Sequence, residues 1–496
     1  MAKIGIDFGT VNSSVVWKKD GEIRTLLRND NDAEVLFAPS IVQYKNGVVK
    51  SGWQIPTTET LINSANSHTI KNLKALLGND QYDEEVFGKD KWELAKLYLT
   101  YLLTTAVSHP DFSGQNITEV VLSKPISFST IYAIRLKECI ESIEAEAENG
   151  KIKGITVSGI VDEPVAIALN AINDGETVLT YDMGGGTFDA ALVKKTGDHY
   201  QVMATGGNKH AGNYMDRMLG ELCVQKLHDE RVTLDDLVSD HGVAKNLNLT
   251  SLREAKEMLE TGENRYLIKL LHPKVGPCEV EITVEEYRNQ IRPCIDETIV
   301  ICEDLIAKCR TTGNVVSRII LAGGGSKSAY LQECLRERYS NVFNLGVDKR
   351  IATAAGNVKY EGKNVGNILN YSFGILLKDQ KLDCYFIRNL FFKHQSIPTD
   401  SVSLSLQTLY GGSKITIQLY MGEETDESHV TEYDLRKQRR LTDRALCYQY
   451  EGSVIQYGHR FTFSYYFDAD GILHTTVTDQ YGEREQNIGD LLKNNF

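Results

Sequence analysis

Asp7 and Asp182 are the residues around which a reaction could be built. Each ends a short apolar run and is followed by glycine and threonine. The segments are Ile4-Gly5-Ile6-Asp7-Phe8-Gly9-Thr10 and Tyr181-Asp182-Met183-Gly184-Gly185-Gly186-Thr187-Phe188-Asp189. A glycine turn between two strands lets the backbone approach a ligand closely. Its free N–H groups can point at phosphate oxygens. An aspartate at a strand end suits Mg2+ held through the ion's water shell. Thr10 and Thr187 add hydroxyls. One such segment alone could be an ordinary glycine hairpin. Two, with Asp7 and Asp182 lying 175 residues apart, look like an internal repeat. Two phosphate turns from two similar halves form a nucleotide clamp. A third turn, Leu321-Ala322-Gly323-Gly324-Gly325-Ser326, follows a strand at Arg318 to Leu321 and opens a helix. That is where a nucleotide usually meets a helix N-terminus.

These turns need strands and helices to hold them. Thr177 to Tyr181 and Ala190 to Val193 read as the strands flanking the central turn. Trp92 to Val107 carries apolar residues at the helical period, and Ser129 caps a predicted helix reaching about Glu148. Thr283-Val284-Glu285-Glu286 is a capping box for a long helix to about Cys309, with Pro293 expected to kink it. Helices after Gly212, to about residue 262, are less clearly marked, and another spans Ile351 to Lys359. Near Gly362 the helical period stops. Val402, Leu404 and Leu406 alternate, as do Ile415, Ile417, Leu419 and Met421, and Phe461, Phe463, Tyr465 and Phe467. Short alternating strands with turn signals such as Asp468-Ala469-Asp470-Gly471 are a β-sandwich pattern.

Bulk properties narrow the classes. A length of 496 residues suggests two to four domains, and 42% hydrophobic content supplies ample core. A net charge of −13 weighs against a nucleic-acid binder, which needs a basic face. Nine scattered cysteines without a Cys-x-x-Cys pair read as reduced cytoplasmic thiols and imply no metal site. No signal peptide and no membrane-length apolar run are evident.

The three turns, in this order and spacing, resemble those of the seventy-kilodalton heat-shock chaperones (DnaK type) of the actin and sugar-kinase superfamily. The resemblance extends from Met1 to about Ile488. It implies an α/β, actin-like ATPase domain of ribonuclease H-like duplicated lobes, followed by a β-sandwich. His68-Thr69-Ile70-Lys71-Asn72-Leu73-Lys74-Ala75-Leu76-Leu77-Gly78 resembles the family's Lys-Arg-Leu-Ile-Gly segment, so Lys74 is the expected catalytic lysine, with Lys71 as fallback. Glu119 to Pro125 resembles the family's hinge, with Ser127 in place of a tyrosine. Glu163 of Val161-Asp162-Glu163-Pro164-Val165-Ala166 takes the role of orienting metal-bound water, shared with Asp189. Phosphate falls to Gly9, Thr10, Gly185, Gly186 and Thr187, Mg2+ waters to Asp7 and Asp182, and Val11 and Gly184 bind the nucleotide beside them. Gly207, Lys256, Gly323, Gly324, Lys327 and Asp348 complete the nucleotide site. Arg253, Glu257 and Glu260 depart from the family's adenine-contacting helix, and Lys327 replaces a stacking arginine. His210 reads as a loop packing residue.

Beyond residue 362, Ser396-Ile397-Pro398-Thr399 and Phe467-Asp468-Ala469-Asp470-Gly471-Ile472-Leu473 continue the resemblance. The implied sandwich grips extended polypeptide. Leu404, Leu406 and Leu409 are candidate groove liners, with plain core packing as the alternative for each. The expected organisation is an ATPase domain at 1–362, a linker at 363–371 and a sandwich at 372–496 without the family's helical lid. Residues 424–450, acidic then basic, read as a solvated face, with a partner site as the alternative. The expected function is an ATP-dependent molecular chaperone of the cytoplasm. It would hydrolyse ATP to ADP with Mg2+, and K+ as a further ion, and bind unfolded or client polypeptides. J-domain and nucleotide-exchange cochaperones would be partners, with no nucleic acid and no membrane, and the chain a monomer. The alternative is a nucleotide-responsive cochaperone or scaffold holding one dedicated protein partner.

Overall fold

A computed structural model describes residues 2–28, 31, 33–56, 67–71, 73–77, 85–86, 88–112, 115–125, 128, 130–148, 150–229, 231–238, 243–272, 275–343, 345–360, 365–369, 372–379, 384–392, 395–422, 445–451, 454–468 and 473–487. The chain divides into two compact units. The first comprises residues 1–128, 132–198 and 205–363, and the second residues 129–131, 199–204 and 364–496.

The first unit is mixed α/β. One sheet runs in the order Thr156–Asp162, Ile117–Lys124, Ala2–Asp7, Asn12–Lys19 and Glu22–Thr25. Ala2–Asp7 is parallel to Ile117–Lys124 on one side and antiparallel to Asn12–Lys19 on the other. A second sheet repeats this arrangement around Thr177–Met183. That strand is parallel to Val316–Ala322 and antiparallel to Phe188–Thr196. Ile4 and Ile6 of the first central strand, and Val178, Leu179 and Tyr181 of the second, have no exposed surface. Strands buried on both faces read as near-continuous apolar runs, which is why both were visible in the sequence.

The helices follow their end signals. Lys91–Ser108 starts at Asp90, whose carboxylate accepts from the Trp92 and Glu93 backbone N–H groups. Thr283 caps the 28-residue helix Val284–Thr311, and the helix continues through Pro293. Cys294, Cys302 and Cys309 on that helix are free thiols turned into the core. The predicted helix to Glu148 is shorter: Thr130–Glu141 is helical, then Ala145–Ala147 pairs with Gly150–Ile152 as a hairpin. Residues 145 to 148 alternate Ala-Glu-Ala-Glu, with the alanines half-buried and the glutamates exposed, which suits a strand better than a helix. The proposed cap, Ser129, lies outside the described residues, as does Ser127. Among the described residues no helix is long and apolar enough to cross a membrane.

In the second unit, two antiparallel sheets run in the orders Cys384–Phe391, Ser372–Asp379, Lys414–Gly422, Ala445–Gln449 and Val402–Gln407, Arg460–Phe467, Leu473–Asp479, Gly482–Asn487. Both feed one core. Ile375, Phe391, Ile417 and Leu446 come from the first sheet, and Phe463, Tyr465 and Val477 from the second. Phe461, Phe463, Tyr465 and Phe467 all face inward, as their alternation predicts. Val365–Ile368, expected as linker, forms a strand parallel to Tyr200 and Gln201. The turn residues 469–472 and most of the charged stretch 424–450 lie outside the described residues.

Candidate functional site

Register explains how the first unit builds its cleft. Asp182 is opposite Asp189 across the hairpin and level with Ala322 on the parallel strand. The acidic residues and the third glycine turn therefore meet at one sheet end. At the equivalent end of the other sheet, Asp7 lies opposite Ser14. The two glycine turns face each other. A Cβ on Gly185 would come 2.7 Å from the Val11 side chain, and one on Gly186 3.5 Å from that of Thr10. Gly9 admits no side chain, because a Cβ there would lie 2.0 Å from the Asn12 carbonyl oxygen. Gly323 has φ +80, and a Cβ would collide with Asp182 Oδ1 at 2.3 Å. By contrast a Cβ on Gly324 would meet open space, so this glycine borders the cavity itself. The helix Gly212–Leu227 is anchored on the central turn. The Gly212 and Asn213 backbone N–H groups donate to the Gly184 and Gly185 carbonyls at 3.1 and 2.7 Å.

The resulting cleft has a volume of about 530 Å3. Asp7, Gly9, Thr10, Val11, Lys74, Glu163, Asp182, Gly184, Gly185, Gly186, Thr187, Asp189, Lys256, Gly323, Gly324 and Lys327 all line it. Gly207 and Asp348 do not. Gly207, the penultimate residue of the strand His199–Asn208, packs on the Phe188 carbonyl, where it stands close to Asp189. Asp348 holds Arg350 through three hydrogen bonds at 2.8 to 2.9 Å and lies 3.7 Å from Lys327. The Arg350 side chain keeps the Asp348 carboxyl at about 2. His210 stacks on Tyr214 and pairs with Glu297.

The electrostatics of the floor are unusual. Lys74 sits on the short helix Leu73–Leu77 and forms a buried ion pair with Glu163, the first residue of the helix Glu163–Ala168. Burial alone would lower the lysine's pKa; Glu163 and Asp7 outweigh it and keep the ammonium charged. Desolvation pushes Asp7 up to about 7, opposed by Lys74 and reinforced by Glu163. Asp182 is raised well above the carboxylate range by desolvation, then by Glu163, Asp189 and Asp7. Asp189 is pushed to about 6 by burial and Glu163, while the Thr187 hydroxyl pulls it back. Four carboxyls thus share one lysine. Such a floor holds excess negative charge that a divalent cation would offset, and its donors are the oxygens that Mg2+ prefers.

At the other end of the cleft, sequence reasoning named Lys256, Arg253 and Glu260 but missed Asp216 and Arg350. Lys256 forms an ion pair with Asp216 at 2.6 Å and donates to the Gly212 carbonyl at 3.1 Å. Asp216 is 1% exposed and also lies 3.5 Å from Arg253. Glu260 accepts from the Tyr287 and Ser328 hydroxyls at 3.0 and 2.7 Å, joining the helix Val243–Glu260 to Ser328, two residues beyond the third turn. Arg350, in the cleft lining, stands over the Phe37 ring at 5.6 Å. Nothing local marks either Asp216 or Arg350 as part of the site.

In the second unit a cavity of about 850 Å3 opens beside the strand Val402–Gln407. Leu406 and Leu409 line it and Leu404 does not; Leu404 and Leu406 both pack against the core of this unit.

The family model described as Hsp70 protein matches residues 3–425 of the chain. The match spans every residue of the first cleft and reaches past the strand Lys414–Gly422.

Proposed function

The chain belongs to the Hsp70 family, and on that premise we propose that it is an ATP-dependent molecular chaperone. It hydrolyses ATP to ADP and phosphate in the first cleft and holds extended client polypeptide in the second unit. The observation that carries this reading is the gathering of Asp7, Lys74, Glu163, Asp182, Thr187 and Asp189 on one floor, between glycine turns that face each other. Phosphoryl transfer asks mainly for positioning and charge neutralisation. Gly9, Thr10, Gly185, Gly186 and Thr187 cradle the phosphates. Lys74, held by Glu163, sets its charge beside the phosphoryl group being transferred. Asp189, ionised at neutral pH, accepts a hydrogen bond from the attacking water. Asp7 and Asp182 would hold Mg2+ through its waters, and the ion would supply charge neutralisation of the phosphates. Gly323, Gly324, Lys327, Lys256 and, through Arg350, Asp348 border the nucleoside.

The architecture behind this reading is a duplicated actin-like domain at 1–362, a linker at 363–371 and a β-sandwich at 372–496. The matching strand arrangement around Ala2–Asp7 and Thr177–Met183 supports the duplication. Two sheets sharing one core support the sandwich.

Single-turnover hydrolysis by the full chain, with and without unfolded peptides, tests the proposal. Asp182→Asn and Lys74→Met are expected to abolish turnover, and peptide to accelerate it. Tight ATP binding without hydrolysis would remove the catalytic assignment. Hydrolysis indifferent to every peptide would favour a scaffold for one dedicated partner.

A further inference from the structure

The cavity in the second unit carries a charge bias of its own. Its floor is apolar, with Leu406, Leu409, Ile415 and Phe461 among its lining. Every charged residue in that lining is a cation: Lys378, Lys414 and Arg460. Each stands at a strand end around the mouth. Lys378 is near the end of Ser372–Asp379, Lys414 begins Lys414–Gly422, and Arg460 begins Arg460–Phe467. Lys414 and Arg460 are exposed, and among the described residues neither has a carboxylate partner. Tyr410, 77% exposed, adds an aromatic ring at the same rim. The chain as a whole carries −13, so a cationic rim is opposite in sign to the protein's net charge.

We propose that this groove selects extended apolar segments flanked by acidic residues; the inference rests on the reading of the second unit as a polypeptide-binding groove. The apolar floor takes leucine-sized side chains, and the rim cations pair with carboxylates on either side of them. At physiological salt the screening length is about 8 Å. Distant negative charge on the chain is therefore damped, and the nearest cations decide the preference. Charge complementarity at a rim contributes selectivity more than raw affinity.

Fluorescence anisotropy on the full chain reads this directly. Three labelled peptides share one leucine-rich core and differ in flanks: paired Glu, paired Gln or paired Lys. The Glu-flanked peptide is expected to bind about tenfold more tightly than the Lys-flanked one at physiological salt, since each exposed pair contributes little alone. The Gln-flanked peptide falls between, and the gap narrows as salt rises. Lys414→Glu with Arg460→Glu reverses the order; Lys414→Gln with Arg460→Gln flattens it and keeps the test alive if the reversal unfolds the groove. Lys269→Glu makes the same kind of charge change on the first unit, at a side chain 76% exposed, and leaves the order unchanged. Equal binding of all three peptides, or tighter binding of the Lys-flanked one, overturns the inference while leaving the groove standing. Binding of none of them overturns the groove reading itself.

Discussion

Replacing Lys74 with methionine keeps most of its side-chain volume and removes its charge. The side chains of Lys74 and Glu163 are only 5% and 11% exposed. Breaking a buried pair by removing one partner typically costs about 3–5 kcal/mol, because the other charge stays buried. The loss falls at the upper end of that range if Asp7 and Asp189 retain their charge, since Lys74 is the cation that offsets both. Urea unfolding of the nucleotide-free chain measures it. The three tryptophans, Trp17, Trp53 and Trp92, all belong to the first unit, so their fluorescence reports that unit alone. Adding Glu163→Gln to Lys74→Met removes the stranded charge and is expected to restore stability. The cycle then gives a coupling of about 1–3 kcal/mol. ATP turnover stays absent in the double variant, so stability and catalysis separate. A solvated lysine on a helix would behave otherwise. Its loss would cost less than about 0.5 kcal/mol and add simply to that of Glu163→Gln. That result would refute the buried-pair reasoning.

Two further outcomes follow from the geometry. Gly323→Ala places a Cβ against Asp182 Oδ1 on a backbone with φ +80, so it is expected to destabilise the first unit and abolish nucleotide binding, whereas Gly324→Ala enters open space, leaves the urea midpoint unchanged and weakens only nucleotide binding, measured by titration calorimetry. In the second unit, burial raises the Asp479 carboxyl, but hydrogen bonds from Tyr450 and His459 outweigh it and hold it below its ordinary value. A depressed carboxyl contributes stability that is complete above the unfolded value near 3.8 and disappears as pH falls through the folded one. Acid unfolding of this unit, followed by near-ultraviolet circular dichroism of its tyrosines, is expected to lose this component of its pH dependence in Asp479→Asn; an unchanged profile would count against the cluster's role.

What could be read from the chain alone was whatever short-range chemistry dictates. Asp7, Asp182 and the glycine turns showed because each motif is complete within one short segment, and Gly9, Gly185 and Gly323 stand where a Cβ would collide with its neighbours. Thr283 and Glu286 showed because a capping box is complete within four residues. The hairpin at Ala145–Ala147 was missed because glutamate and alanine favour helix, and the burial that overrides this preference comes from outside the segment. Asp216 was missed for a related reason. Its partner Lys256 is on another helix, and no local pattern encodes that approach. Arg350 owes its place to Asp348, so the residue matched to the nucleotide site positions the one that lines it.

The thiols of the helix Val284–Thr311 have a consequence for chemical durability. Burial pushes Cys294 up to about 12 and Cys302 higher still. Oxidants and electrophiles attack the thiolate, and a folded first unit offers them almost none at these positions. Damage there must wait for the helix to open. An oxidised Cys302 would therefore record that its chain had already come apart, and oxidation would fall on the least stable copies of the protein first.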